Sequence, residues 1–185
     1  MRKLIYSMTV SLDGFISDRD GEIDWSPPDE ELHRFHRREV AELGVHLLGR
    51  RLYEVMSVWD TDEGIGALPE YAREFAPTWR SLPKIVFSTT LQEVGPNASL
   101  MRSGLAEEVI RLKEEPGKDL AVGGAGLASG LIEQGLIDEF RLFVSPVLLG
   151  GGTPYFPSLA ERVESELLET RTFASRVVYL RYGAT

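Results

Sequence analysis

The sequence predicts an α/β fold: a sheet of seven or eight strands with helices on both faces and an antiparallel pair at the C-terminus. Three observations carry this. Short apolar runs of strand type alternate with segments of helical spacing through most of the chain. Leu120-Ala121-Val122 runs into Gly123-Gly124-Ala125-Gly126, after which Leu127, Ala128, Leu131 and Ile132 recur at helical spacing, so a buried strand turns sharply into a helix. Near the end, two strand-like runs are separated only by Ala174-Ser175, which leaves room for a hairpin and nothing longer.

Taken in order, Lys3 to Val10 is a strand, and Ser11 to Asp18 a loop with a turn at Asp13-Gly14. A second turn spans Asp18 to Gly21, and Ile23-Asp24-Trp25 resumes apolar character. A long loop directly after a first strand often overhangs a site; a plain surface hairpin is the alternative. Pro27-Pro28-Asp29 starts a helix, since proline and acids suit a first turn. Its face of Leu32, Phe35, His36, Val40 and Leu43 runs to Gly44, a natural stop. His33 and His36 lie three apart, but no third ligand accompanies them, and a metal is not expected. Val45 to Leu48 is a short strand, followed by Gly49-Arg50-Arg51 and a helix over Leu52 to Met56. Ser57 to Ala67 is loop, and Pro69 to Ala76 a short helix. Pro83 to Phe87 is a strand ending in the hydroxyls of Ser88, Thr89 and Thr90. Gly104 to Glu115 is an amphipathic helix with Leu105, Val109 and Leu112 inward. The helix after the glycine turn closes near Gly135, and Ile137 to Val144 is the next strand. Gly150-Gly151-Gly152 forms a flexible or close-approach loop. Glu166 to Phe173 and Arg176 to Tyr182 form the final pair.

The length of 185 residues suits one domain with a real core. A net charge of -9 argues against nucleic acid or an anionic membrane as a partner, though not against a local basic pocket for a phosphorylated small molecule. With no cysteine there is no disulfide, thiolate nucleophile or cysteine-based metal site. The start is too short in apolar residues for a signal peptide and no run approaches a membrane span, so a cytoplasmic protein is expected.

Chemistry points to the carboxyl ends of three strands, at Leu48, Phe87 and Val122. In an open α/β sheet such ends share the edge where ligands bind. Glycines in the Gly123–Gly126 turn accept positive φ and leave a ligand room. Free N–H groups at the following helix start, with its dipole, favour an anion. Arg50 and Arg51 add guanidinium forks suited to phosphate. Three such turns on one edge suggest an extended ligand with several phosphates, such as a dinucleotide. A Rossmann half is the competing pattern. Gly124-x-Gly126-x-x-Ser129 nearly matches its fingerprint, but too little sequence follows it.

Four motifs then define a resemblance. Met8-Thr9-Val10-Ser11-Leu12-Asp13-Gly14-Phe15-Ile16 resembles the opening signature of the dihydrofolate-reductase-like family, in the branch holding the reductase domain of bifunctional riboflavin-biosynthesis deaminase–reductases and its stand-alone relatives. Leu48 to Glu54 is similar to that family's glycine-arginine turn, Val122 to Gly126 to its paired-glycine turn, and Pro146 to Gly152 to its late proline-glycine segment. The resemblance covers nearly the whole chain and concerns the reductase half alone. It implies a mixed, mostly parallel sheet of about eight strands and the cofactor NADPH. Gly49 and the Gly123, Gly124, Ala125, Gly126, Leu127 turn would hold the pyrophosphate. Arg50, Arg51, Ser88 and Thr89 would surround the adenosine 2′-phosphate, and the nicotinamide would lie near Thr9, Val10, Gly14 and Ile16. Leu52 stands where the reductases often carry threonine, which leaves the pyrophosphate to backbone N–H groups. The substrate side nominates Asp13, Trp25, Glu30, Glu31 and His36. Asp29, Glu30 and Glu31 crowd the position of the acid that holds the pterin in dihydrofolate reductases, and none aligns alone. A proton would come through Asp13, Glu30 or a water. The resemblance further implies a small heterocyclic substrate, pterin- or pyrimidine-like, and a homodimer. A nucleotide-binding protein without catalysis is the other functional class.

Overall fold

The structure, a computed structural model, describes residues Met1–Thr185. The chain runs β1 (Leu4–Ser11), β2 (Phe15–Ser17), α1 (Glu30–Ala41), β3 (Leu43–Gly49), α2 (Arg50–Met56), a 3-10 turn at Ser57–Asp60, and the short helices α3 (Asp62–Gly66), α4 (Glu70–Arg73) and α5 (Ala76–Ser81). It continues through β4 (Lys84–Phe87), β5 (Ala98–Met101), α6 (Leu105–Glu114), β6 (Asp119–Gly123), α7 (Ala125–Glu133), β7 (Glu139–Ser145), β8 (Thr153–Pro154), β9 (Ser165–Thr172) and β10 (Val178–Ala184). Eight strands form one sheet in the order β5-β4-β3-β6-β1-β7-β10-β9. The strands from β5 to β7 are parallel, and β10 joins β7 and β9 antiparallel. The mixed, mostly parallel α/β sheet and its terminal hairpin are thus present.

Central strands are apolar on both sides because both faces are covered. On one face, Leu4, Tyr6, Leu120, Val122 and Phe140 pack beneath Val109 and Leu112 of α6 and Ala128, Leu131 and Ile132 of α7. On the other, α1 sets Leu32 and Phe35 against Phe143, Phe173 and Tyr179. Beside it, Tyr53, Phe75 and Trp79 cover Leu48 and Val86. Buried Glu139 ties β7 to β10 by accepting from Arg181 (2.6 Å), and it also accepts from Arg141 (2.7 Å) on its own strand. Burial alone would raise its pKa; bonds and charge from Arg181 and Arg141 outweigh that and hold it below the usual value.

Four local expectations differ from the structure. The first helix ends at Ala41, and Gly44 lies inside β3. A Cβ there would come within 2.6 Å of Arg2 Nη2 and 2.9 Å of the Lys118 carbonyl, so that glycine serves close approach, not helix termination. In place of a loop over 57–67, residues Ser57–Asp60 form a 3-10 turn and Asp62–Gly66 a helical turn, with extended Thr61 between them. Thr61 Oγ1 accepts from Gly64 N (3.0 Å), Trp79 Nε1 donates to Asp60 (2.9 Å), and Arg80 Nε donates to the Trp59 carbonyl (2.9 Å). Tertiary bonds override a composition rich in Asp and Gly. The helix expected over 69–76 is divided between α4 and the start of α5. Finally, β5, β2 and β8 were not anticipated; each is four residues or fewer, too short for a periodicity to show.

Candidate functional site

The sheet order sets β3 between β4 and β6, with Gly49 beside Phe87 and Leu48 beside Gly123. Adjacent strands lie about 4.8 Å apart. The turns following Gly49, Phe87 and Gly123 therefore converge on one edge, as an extended ligand requires.

At the centre of this edge, Gly124 has φ +97° and α7 begins at the next residue. Cβ atoms added at Gly124 or Gly126 would meet nothing within 4 Å. The space over the turn is open, and the first N–H groups of α7 have no partner within the helix. Gly123 differs: a Cβ would overlap Leu52 Cδ2 and lie 3.0 Å from His46 Nε2. Leu52 thus covers Gly123 from the α2 side and offers no donor, which leaves an anion to the backbone.

One side of the turn opens to a cavity of about 440 Å³ lined by Arg50, Ser88, Thr89, Thr90, Arg102 and Leu127, among others. Arg50 donates from Nη1 to Thr90 Oγ1 (2.7 Å) and from Nε to Glu54 (2.8 Å). Arg102 Nη1 donates to the Ser88 carbonyl (2.8 Å). Ser88 Oγ accepts from Thr90 N and Leu91 N, so it caps its turn while lining the cavity. Sequence reasoning missed Arg102 and Ser103. They follow the unrecognised β5, and the only signal was Arg-Ser-Gly ahead of a helix. Arg51 points elsewhere, into a separate cavity of about 620 Å³ with the loop after β2. Arg50, Ser88 and Thr89 are together; Arg51 is not with them.

The loop after β1 is tied to the glycine loop after β7. Asp13 accepts from Ser11 Oγ (2.7 Å), Leu149 N (3.1 Å) and Gly150 N (2.7 Å). Leu12 N donates to the Val147 carbonyl, Tyr155 N to that of Gly14, and β2 pairs with β8. The Ser11 hydroxyl and the Leu149 and Gly150 N–H groups hold the Asp13 carboxyl down to about 2. An anion at neutral pH, it anchors two loops and is a poor proton source. Asp13→Asn should loosen this anchor. Hydrogen exchange at Leu149 and Gly150 is the measurement: protection should drop there and persist in β7, whereas unchanged protection would remove the anchoring role.

Among the remaining candidates, Val10 and Ile16 are buried in the core; Thr9 is half-buried beside Phe143, and Gly14 is exposed. Trp25 is half-buried, donating to the Glu22 carbonyl. Glu30 pairs with Arg34, and Glu31 accepts from Arg171 (2.8 Å) and Ala174 N (3.1 Å), so both carboxylates are engaged. His36 stands on Phe143, ring centroids 4.1 Å apart.

Burial, reinforced by His33, brings His36 down to about 4. Burial and Lys84 do the same to His46, whose Nδ1 has no partner. Both titrate near 6.5 when unfolded. Between these values the unfolded chain binds more protons, so stability is full above about pH 6.5 and falls toward pH 4. Lowered carboxylates such as Asp13 and Glu139 extend the loss to lower pH. Melting temperature should decline across that window, less so in His36→Gln/His46→Gln. A flat profile in the wild type would contradict it.

Fold and strand-edge cleft define a dihydrofolate-reductase-like α/β protein. Residues 2–179 match the family described as the RibD C-terminal domain. The chain belongs to that family. It is 36% identical over 184 residues to the uncharacterized protein YyaP of Bacillus subtilis (strain 168), covering 98% of this chain and 94% of YyaP. A putative riboflavin biosynthesis protein from Shewanella sp. PV-4 superposes with TM-score 0.77 at 22% identity, covering 100% of this chain and 99% of that one. Dihydrofolate reductase from Enterococcus faecalis, complexed with NADP(H) and RAB-propyl, superposes with TM-score 0.65 at 17% identity, covering 99% and 96%. No helix is long and apolar enough to cross a membrane.

Proposed function

We propose that the chain is an NADPH-dependent reductase of a small pyrimidine- or pterin-like heterocycle, similar to 5-amino-6-(5-phosphoribosylamino)uracil reductase. The observation that carries this is the juxtaposition of an open glycine turn, Gly123–Leu127, with a cavity that Leu127 lines together with Arg50, Ser88, Thr89 and Arg102 from the ends of β3, β4 and β5. That arrangement suits a pyrophosphate next to a further phosphate. The NADP(H) complex of the Enterococcus faecalis relative supports the same cofactor class.

In this reading, backbone N–H groups from Gly124 to Leu127, with Gly49 opposite, hold the pyrophosphate. Arg50, Arg102, Ser88 and Thr89 take the 2′-phosphate. Backbone near Thr9, Val10, Gly14 and Ile16 borders the nicotinamide, which supplies a hydride when bound. His36, neutral and backed by Phe143, and Trp25 border the substrate. The accompanying proton is assigned to water, since Asp13 is held ionised and Glu30 and Glu31 are paired. The chain's contribution is orientation and exclusion of bulk water. The experiment follows loss of NADPH absorbance over a panel of oxidised pterins and of ribosylaminopyrimidines, whose sugar carbon accepts the hydride. Turnover with one of them supports the reading; NADPH binding without any turnover favours a nucleotide-binding protein instead.

A further inference from the structure

On the face of the sheet that α1 covers, two apolar clusters leave a gap between them. The cluster under α1 uses Phe143 of β7 and Tyr179 of β10. The cluster under α2 and α5 uses Leu48 of β3 and Val86 of β4. β6 and β1, which lie between β3 and β7 in the sheet, contribute to neither. The gap thus spans three strand spacings, about 14 Å. On its floor Ile5 and Ala121 are buried, but toward the carboxyl ends of the strands Ser7 and Thr9 are only half-buried. These two alternate with Tyr6 and Val10, which belong to the core on the opposite face.

His36 stands over this floor from α1. Its ring centroid lies 4.1 Å from that of Phe143, whose register partner on β1 is Thr9. Its helix neighbours fix its direction. Phe35 turns to Phe173 and Tyr179, away from the gap, and His33 turns to Trp59 and Phe75, which pack in the cluster across it. The Ser7 and Thr9 hydroxyls and the His36 imidazole make no hydrogen bond to the protein, and each reaches solvent. Enclosed polar groups are ordinarily bonded, so all three are free to serve a ligand.

Charge narrows the ligand. Asp29 caps α1 by accepting from Leu32 N (2.9 Å), Glu30 pairs with Arg34, Glu31 with Arg171, and Asp13 with the N–H groups of Leu149 and Gly150. His36 is neutral at neutral pH, because burial and His33 disfavour its proton. The gap therefore offers two hydroxyls and a neutral imidazole, each both donor and acceptor, and no free carboxylate from the start of α1. A cationic ring there would lose hydration without gaining a counter-charge. An uncharged ring whose edge alternates C=O and N–H finds a partner for each group.

We propose that Ser7, Thr9 and His36 are the specificity-determining residues of the substrate site, selecting an uncharged lactam-type ring against a cationic amidine-type ring of the same size. The position of that ring beside the nicotinamide rests on the NADPH reading; the selectivity does not.

Calorimetric titration of the full chain with 6-aminouracil, and with 2,4-diaminopyrimidine at a pH where it is protonated, tests this with and without NADPH. Wild type should bind 6-aminouracil about tenfold or more tighter than the diamino ring. Thr9→Val and His36→Phe should each weaken 6-aminouracil about tenfold. His36→Asp should reverse the preference, a gain that a merely structural role for His36 would not produce. The same preference in a protein that binds no NADPH keeps the selectivity and removes the cofactor reading. NADPH binding with neither ring bound overturns the proposal and leaves the cofactor reading standing. The proposal is also overturned if wild type binds the diamino ring as tightly as 6-aminouracil, or if the variants, melting as wild type does, bind both rings unchanged.

Discussion

Gly124→Val is expected to lower NADPH affinity by roughly a hundredfold or more. Two effects combine. The residue sits at φ +97° and ψ 128°, a conformation that a β-branched side chain adopts only under strain. The space its side chain would enter holds no protein atom within 4 Å of a Cβ, and this is where the pyrophosphate is proposed to lie. Charge-assisted hydrogen bonds contribute about 1.5–3 kcal/mol each, and displacing the phosphates loses more than one. Gly126 separates the two effects. It lies inside α7 without a positive φ, and its Cβ space is equally open. Gly126→Val should therefore weaken NADPH with little backbone strain. Unchanged affinity in a folded Gly126→Val protein would show that the open turn holds no cofactor.

Arg50→Ala should weaken NADPH by roughly 10- to 100-fold and leave NADH nearly unchanged. The cofactors differ by the 2′-phosphate, and an acidic chain offers it no long-range attraction, so discrimination has to be local. Arg50 already bonds Thr90 and shares its charge with Glu54, which moderates the effect. Arg102 has no carboxylate partner, and Arg102→Ala should act in the same direction. Both effects should shrink at high salt, because Arg50 and Arg102 are exposed. Equal losses for both cofactors in Arg50→Ala would place that arginine on the pyrophosphate.

The turn after β6 was legible in the sequence because glycine meets a backbone requirement there, a positive φ at Gly124 and a close approach to Leu52 at Gly123. The central strands were legible because burial on both faces produces unbroken apolar runs, and the C-terminal hairpin because Ala174-Ser175 leaves no other connection. What depended on distant partners was not legible. Asp13 looked like an acid near a site, but its N–H partners lie 136 and 137 residues away, and only the folded chain shows it as an anchor. Arg50 and Arg51 looked like a pair, yet consecutive residues in a first helical turn point in different directions and enter different cavities. Arg102 was hidden because β5 is four residues long and belongs to the sheet through its pairing with β4.

The central claim is that the three strand-end turns hold NADPH. Titrating NADPH and NADH in parallel into the wild-type protein tests it most directly, by quenching of tryptophan fluorescence or by calorimetry. The account predicts saturable binding of both, tighter for NADPH, with its advantage over NADH fading as salt is raised. No saturable binding of either cofactor, or equal affinity for the two at low salt, would contradict it.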